Sequence, residues 1–269
     1  MAETMVLRWN GKECPDCKEL TILELGEGAI ERCHDCTLKA AELARVRTVG
    51  LRLMARLPEV VTEYLTGAGM SKRELASRLD KVPQNILHVL QKPSAQSMLR
   101  GELPVLGFGM TSLAGHGKTC ALASVVAHMT SARFLRELPK VGMDALRPWL
   151  LWLSWPETVN RLRVMSTRDG GIQHADDLIQ HACTVDLLVL DDIGGERVKG
   201  SYTEDWTASQ LDLVIDARYR EQKPILYTTS LTRARLVSTY GQRIYSRLVG
   251  DNPLYEIAPA KDLRLGGTP

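Results

Sequence analysis

From about residue 101 onward, short apolar runs alternate with longer stretches in which apolar residues recur at helical spacing. The apolar runs predict four buried strands, and the longer stretches predict the helices that connect them. Such alternation is typical of a parallel sheet with helices on both faces. We therefore predict an α/β fold with a Rossmann-like parallel sheet and flanking helices. The predicted strands are 105–109, 150–154, 186–190 and 224–229, and the predicted helices are 118–130, one from about 157, and 206–221.

The first hundred residues have a different pattern and divide into two parts. Residues 1–45 contain two Cys-x-x-Cys pairs, whereas residues 46–100 are basic and favour helix, with three prolines as breaks. We predict a small cysteine-bearing module at 1–45, a helical linker at 46–100 and the α/β domain at 101–269.

Composition narrows the class of protein. Hydrophobic residues make up 44% of the chain and charged residues 25%, as in an ordinary globular protein. The net charge of +2 gives no global attraction to nucleic acid, so any such contact must come from local patches. The N-terminus lacks the apolar segment of a signal peptide, and the apolar stretch at 149–155 is too short to cross a bilayer. We expect a cytoplasmic protein with no membrane contact.

A glycine-containing run between the first predicted strand and its helix has the features of a phosphate-binding loop. In that context the backbone amides of the loop and the helix N-terminus form a cradle for phosphates. We predict that Lys118 reaches the β- and γ-phosphates of ATP and that the Thr119 hydroxyl binds Mg²⁺. Ser112 stands where the motif has its first glycine, so a glycine-rich turn into a helix is the plain alternative. The candidate nucleotide-binding residues are Ser112, Leu113, Ala114, Gly115, His116, Gly117, Lys118, Thr119 and Cys120.

Two acids end the most apolar of the predicted strands, about 70 residues after this loop. Ligands of parallel α/β sheets bind at the carboxyl ends of the strands, where Asp191 and Asp192 lie. Asp191 suits a direct or water-mediated Mg²⁺ contact, and Asp192 suits a catalytic carboxylate that polarises the attacking water. A simple strand-to-turn exit is the alternative, but the preceding phosphate-binding motif favours the functional interpretation.

The order of the downstream motifs resembles that of the DnaC-type helicase loaders and the related IstB-type transposition ATPases of the AAA+ superfamily. The resemblance covers roughly residues 100–265 and implies an ATPase with a P-loop AAA+ fold. The motifs that carry it are Asp191-Asp192-Ile193-Gly194, Ala217-Arg218-Tyr219, and the runs 224–231, 241–248 and 262–264.

The resemblance also assigns roles to three further residues. Ser230 occupies the sensor-1 position, where the family commonly has Asn. Arg247 matches the arginine finger that reaches the nucleotide of a neighbouring subunit, and Arg243 is a second candidate at that interface. Without the family context, the two arginines could equally lie on a solvated helix face. An arginine finger acting in trans implies self-assembly with ATP. The short stretch after Arg247 leads us to expect no large helical lid.

The cysteine pairs predict a structural zinc site. Cys14, Cys17, Cys33 and Cys36 have the spacing C-x₂-C-x₁₅-C-x₂-C, which suits four thiolates around Zn²⁺ better than disulfides in a reducing compartment. Such zinc-ribbon-like modules bind either proteins or nucleic acid. The intervening residues are acidic, which argues against DNA, and the resemblance to the loaders favours a protein partner.

Residues 71–90 resemble a helix-turn-helix, with Ser71 as the N-cap of its first helix. A segment that leads into the α/β domain and packs on its core is the alternative. The absence of a glycine in the turn and the small number of apolar residues favour this second interpretation.

Three functions follow from these observations. The first is an ATP-dependent loader that binds a hexameric replicative helicase and helps place it on single-stranded DNA during replication initiation. The second is an IstB-like transposition helper ATPase that assembles on duplex DNA, against which the cysteine module argues. The third is a zinc-dependent adaptor that binds ATP but hardly hydrolyses it, an interpretation that Ser112 and Ser230 keep open. The basic residues Arg197, Lys199 and Arg233 are candidates for DNA contact.

Overall fold

Two β-sheets lie within the residues that the structure describes. The structure is a computed structural model, and it describes residues 8–13, 20–23, 56–141, 148–166, 171–196 and 201–259. The first sheet consists of β1 (Arg8–Glu13) and β2 (Leu20–Leu23), which pair antiparallel. The second has the strands β3 (Phe108–Thr111), β4 (Leu150–Ser154), β5 (Leu187–Ile193), β6 (Ile225–Thr229) and β7 (Leu254–Glu256). Their order is β4–β5–β6–β3–β7, and all neighbours are parallel.

The lead-in segment before this sheet consists of short helices. Its helices are α1 (Leu57–Gly67), α2 (Lys72–Leu75), α3 (Leu87–Leu90) and α4 (Pro93–Leu99), with single 3₁₀ turns at Leu79–Lys81 and Gln84–Ile86. Larger helices follow between and after the strands of the sheet. They are α5 (Lys118–Val141), α6 (Trp155–Ser166), α7 (Gly171–Thr184), α8 (Ser201–Arg220) and α9 (Arg233–Asp251).

Both faces of the parallel sheet are buried. Successive side chains of a strand point to opposite faces, so Leu150 and Trp152 of β4 join one apolar cluster while Leu151 and Leu153 join the other. The lead-in segment and α5 complete the first cluster, and α6 to α9 complete the second. Burial on both sides explains why the strands read as continuous apolar runs instead of alternating ones.

The predicted α/β fold is confirmed, with differences in the bounds of several elements. The first strand begins three residues later than predicted, at Phe108, and Val105 is 86% exposed. The third strand extends beyond its apolar run to Ile193 and so includes both acids. The sequence analysis missed β7, which has three residues and is too short to show a period.

The segment at 71–90 does not form the two successive helices of a helix-turn-helix. Its helices α2 and α3 have four residues each, and Ile86 and Val89 are fully buried in the cluster that α5 shares. Ser71 is an N-cap as predicted, and it forms a capping box in which the Ser71 amide donates to the Glu74 carboxylate. The packed lead-in segment is therefore the interpretation that the structure supports.

Among the helices that the structure describes, none is long and apolar enough to cross a membrane.

Candidate nucleotide-binding site

The loop between β3 and α5 has the geometry of a phosphate cradle. Gly115 (φ 83°) and Gly117 (φ 86°) adopt left-handed backbone conformations that favour glycine. The left-handed residues other than glycine are Asp192 and Gln222 in the part of the chain that is described, so the backbone at Ser112 needs no glycine. Lys118 Nζ donates to the carbonyl oxygens of Ser112 (2.7 Å) and Leu113 (3.0 Å) and to Ser112 Oγ (3.3 Å). The serine in place of the first glycine therefore adds a hydroxyl ligand for the lysine.

Asp191 lies at the carboxyl end of β5 and contacts the first turn of α5. Its Oδ1 accepts from Thr119 Oγ1 at 2.9 Å and from Thr228 Oγ1 of β6 at 2.6 Å. Burial raises the pKa of the Asp191 carboxyl, the two threonine hydroxyls oppose this shift, and the negative charge of Glu74 adds to it. A hydroxyl and a carboxylate in contact are the oxygen ligands that Mg²⁺ prefers, and the charge of the ion would favour ionised Asp191. The chemistry of these two groups fits the predicted magnesium.

Asp192 is held in an unusual conformation beside Asp191. Its φ of 60° lies in the left-handed region, where β5 has an irregularity in its pairing with β6. The Asp192 amide donates to Thr228 Oγ1 at 2.9 Å, so one threonine links both acids. Ser230 Oγ donates to Asp192 Oδ1 at 3.4 Å, which brings the predicted sensor residue to the predicted catalytic carboxylate. With this strained backbone at Asp192, its side chain faces Ser230, whereas the Asp191 side chain binds Thr119 and Thr228.

A cavity of about 400 Å³ opens between the phosphate-binding loop and the carboxyl ends of the strands. It brings together seven of the predicted loop residues, both downstream acids and Ser230. Ser112 and Leu113 do not line it but contact Lys118. Its lining residues are Arg73, Glu74, Ser77, Ala114, Gly115, His116, Gly117, Lys118, Thr119, Cys120, Ser154, Asp191, Asp192, Thr228 and Ser230.

The sequence analysis missed the part of this cavity that the lead-in segment provides. Arg73, Glu74 and Ser77 line it, although they lie about 40 residues before the loop. The capping box around Ser71 was a local signal for the helical turn, but nothing in the sequence placed that turn over the loop. Ser154, the last residue of β4, and Thr228, near the end of β6, were also given no role, although Thr228 lies in the 224–231 run that carries the family resemblance.

His116 is a buried polar residue in the loop itself. It is 6% exposed and lines the cavity, and its Nδ1 has no hydrogen-bond partner among the described residues. A buried polar atom without a partner is costly, so this side chain is a natural contact for a ligand in the cavity.

The two predicted interface arginines lie away from this cavity. Both follow a break in α9 at Gly241 (φ 84°, ψ 157°), and both bind the acidic face of α8. Arg247 Nε contacts Asp216 Oδ1 at 3.0 Å, and Arg243 contacts Asp216 at 3.6 Å and Asp212 at 3.5 Å. The structure thus does not bring either arginine to the loop of its own chain, and their action on a neighbouring subunit stays a prediction.

The four cysteines of the predicted zinc site lie outside the described residues. Within the described residues, no group of three or more His, Cys, Asp or Glu side chains is arranged to hold a metal ion. The other two cysteines differ from each other: Cys183 is buried, as expected of a core residue, whereas half-buried Cys120 lines the cavity. Of the three basic DNA-contact candidates, Arg233 donates to the carbonyl oxygen of Leu254, and Arg197 and Lys199 are not described.

Comparison with known proteins supports the fold. No protein-family model matches the chain, and no curated protein matches its sequence. Among solved structures, the DnaC helicase loader is similar at 19% identity and a TM-score of 0.53, with 70% of this chain and 100% of that chain covered. DnaI is similar at 17% identity and a TM-score of 0.53, with 73% and 95% covered. The replication initiator DnaA bound to AMPPCP and single-stranded DNA is similar at 16% identity and a TM-score of 0.50, with 73% and 53% covered.

These similarities define the class of the fold. The five-stranded parallel sheet with its flanking helices is the fold that this chain shares with these structures. The similarity covers the full length of the DnaC structure.

Proposed function

We propose that this protein is an ATP-dependent loader that binds a hexameric replicative helicase and helps place it on single-stranded DNA. The observation that carries the proposal is the contact between Thr119 Oγ1 and Asp191 Oδ1 at 2.9 Å, within a DnaC-like fold. It joins the hydroxyl of the phosphate-binding loop to the acid of the neighbouring strand, which is the pair that holds Mg²⁺ beside a nucleotide in P-loop ATPases.

The site residues have distinct roles in this proposal. Lys118 moves from the loop carbonyls to the β- and γ-phosphates when ATP binds, and Thr119 and Asp191 hold Mg²⁺. That ion supplies charge neutralisation to the phosphates. Asp192 orients the attacking water, and Ser230, which already contacts Asp192, keeps that carboxylate in place. Arg73 adds a cation from the lead-in segment at the mouth of the cavity.

The regions around the site serve assembly and partner recognition in the proposal. Arg247, with Arg243 beside it, completes the nucleotide site of a neighbouring copy, so ATP drives self-assembly. The module at 1–45, with Zn²⁺ on its four cysteines, binds the helicase. ATP hydrolysis then releases the loader from the loaded ring.

A loading assay on closed DNA tests this function. A hexameric ring cannot thread onto a covalently closed single-stranded circle, so stable helicase on such a circle requires opening of the ring. We expect the protein to increase helicase retention on the circle when ATP is present. No increase, together with ATP-dependent filaments on duplex DNA, would favour the transposition helper instead.

A further inference from the structure

Glu196 forms a three-way junction beside the nucleotide site that no motif in the sequence predicted. Its Oε1 accepts from Trp155 Nε1 at 3.2 Å and also from the hydroxyl of Tyr240. Its Oε2 accepts from the Gly194 amide at 2.9 Å. The three donors belong to the start of α6, to α9 and to the loop after β5.

The chemistry of this junction requires a carboxylate. All three partners are donors, and both carboxylate oxygens are used as acceptors. Glutamine has only one acceptor oxygen, so its donating NH₂ group would face at least one of the three donors. Trp155 is fully buried and Tyr240 is 8% exposed, so water does not readily replace a lost bond. Burial and the adjacent Glu196 raise the pKa of the Tyr240 hydroxyl, which keeps it a donor.

One arm of the junction reaches the catalytic carboxylate. A tight turn connects Asp192 to Glu196, with the Gly195 amide donating to the Asp192 carbonyl oxygen at 2.9 Å. Gly194 is left-handed (φ 88°), and a Cβ on Gly195 would lie 2.2 Å from Asp192 Oδ2. The turn is therefore closely shaped around the Asp192 side chain, and the bond from Gly194 to Glu196 closes it from the far side.

The other arm reaches the break in α9. Tyr240 directly precedes Gly241, where the helix axis is interrupted, and the part after the break carries Arg243 and Arg247. A Cβ at Gly241 would meet no atom within 4 Å, so the break itself is not packed against another segment. A shift of the turn from Asp192 to Glu196 would move Tyr240 through its bond to Glu196. It would thereby change the orientation of the part of α9 that carries Arg243 and Arg247.

We propose that Glu196 is a positioning residue that sets the Asp192 turn for hydrolysis and couples it to the break in α9. The inference rests on the proposed ATPase activity. It adds a residue that touches neither nucleotide nor metal but determines how well Asp192 acts and whether α9 responds to ATP.

The first test separates positioning from binding. Glu196→Gln and Tyr240→Phe each remove part of the junction, and Tyr245→Phe on the same helix is the matched control. We measure kcat by steady-state ATP hydrolysis and the Kd of a fluorescent ATP analogue. We expect Glu196→Gln to lower kcat about tenfold and Tyr240→Phe about threefold, with Kd within about twofold of wild type. Because the two variants perturb the same junction, their effects on kcat should be less than multiplicative in the double variant.

The second test concerns the coupling. Hydrogen exchange of residues 241–247 is measured with and without a non-hydrolysable ATP analogue. We expect the analogue to change protection there in the wild type and not in Glu196→Gln. Wild-type kcat in both variants, or an unchanged response of 241–247 in Glu196→Gln, would overturn the inference. Absence of nucleotide binding and hydrolysis in the wild type would instead overturn the proposed function.

Discussion

At the scale of single residues, the site depends on a few polar groups that are buried and matched to one another. Thr228 shows this most clearly, because its hydroxyl donates to Asp191 and accepts from the amide of Asp192. It thereby holds two adjacent acids in different orientations at the end of one strand. Those orientations are compatible with the separate roles proposed for the two acids, one toward Mg²⁺ and one toward the attacking water.

The role of Asp192 leads to a prediction about hydrolysis. Asp192→Asn removes the charge that polarises water but keeps an oxygen that can accept from Ser230. We expect kcat to fall at least about a hundredfold while the Kd for ATP stays within about threefold, as a binding-and-kinetics comparison would measure. A wild type that binds ATP but shows no turnover would contradict the role of Asp192 and favour the nucleotide-binding adaptor.

Arg218 leads to a prediction about stability. Its guanidinium is fully buried and donates to four carbonyl oxygens, two of them on Ala182 and Val185 at the end of α7. Burial lowers the pKa of Arg218 to about 10, which leaves the group charged at neutral pH. Arg218→Met would remove the guanidinium donor from all four carbonyl oxygens, and we expect the free energy of unfolding to drop by about 3 kcal/mol or more.

Urea unfolding of Arg218→Met measures this loss, with Arg235→Met as the matched control because Arg235 is exposed on α9. The control should unfold within about 0.5 kcal/mol of wild type. Equal stability of the two variants would show that Arg218 is not the structural arginine that its contacts indicate.

At the scale of helices and strands, the elements with a clear hydrophobic or motif pattern were predicted from the sequence. Positions that depend on packing between distant segments were not. The buried strands β4, β5 and β6 are long apolar runs, so their positions could be read from the chain. The loop residues from Gly115 to Thr119 were predictable because a phosphate cradle has a fixed local spacing. The roles of Glu74, which lines the cavity, and Glu196, which binds the turn after Asp192, were not, because the position of each depends on packing between distant segments.

The packing of the lead-in segment leads to a prediction about how truncation affects folding. Met98, Ile86 and Val89 are fully buried against the cluster that includes α5. A variant that begins at residue 101 would remove these side chains from the cluster and expose apolar surface of α5. We expect it to aggregate or to lose cooperative unfolding, whereas a variant that begins at residue 56 should keep a cooperative transition.

Circular dichroism melting and light scattering distinguish the two truncations. Equal cooperativity in both would show that residues 56–100 are not needed for the α/β domain to fold. A loss confined to the shorter variant would make the lead-in segment part of the α/β domain.

At the scale of the whole molecule, the proposed loader combines an ATP-dependent α/β domain with a partner-binding module at residues 1–45. The parallel sheet has the fold of the DnaC structure, and the cavity brings together the loop, the two acids and Ser230. The cysteine spacing predicts a closed zinc site that leaves no position for a substrate, so its function would be to hold a binding surface in shape. The loader proposal requires both parts to act on one partner.

The most direct test of this claim is co-elution with the cognate replicative helicase on a sizing column, with and without ATP. Wild type and the variant with Cys14→Ser and Cys17→Ser are compared, with Cys183→Ser as the matched cysteine control outside the module. We predict a stable complex for wild type and the control, and its loss when the two zinc ligands are removed. No complex with wild-type protein under either condition would contradict the loader function.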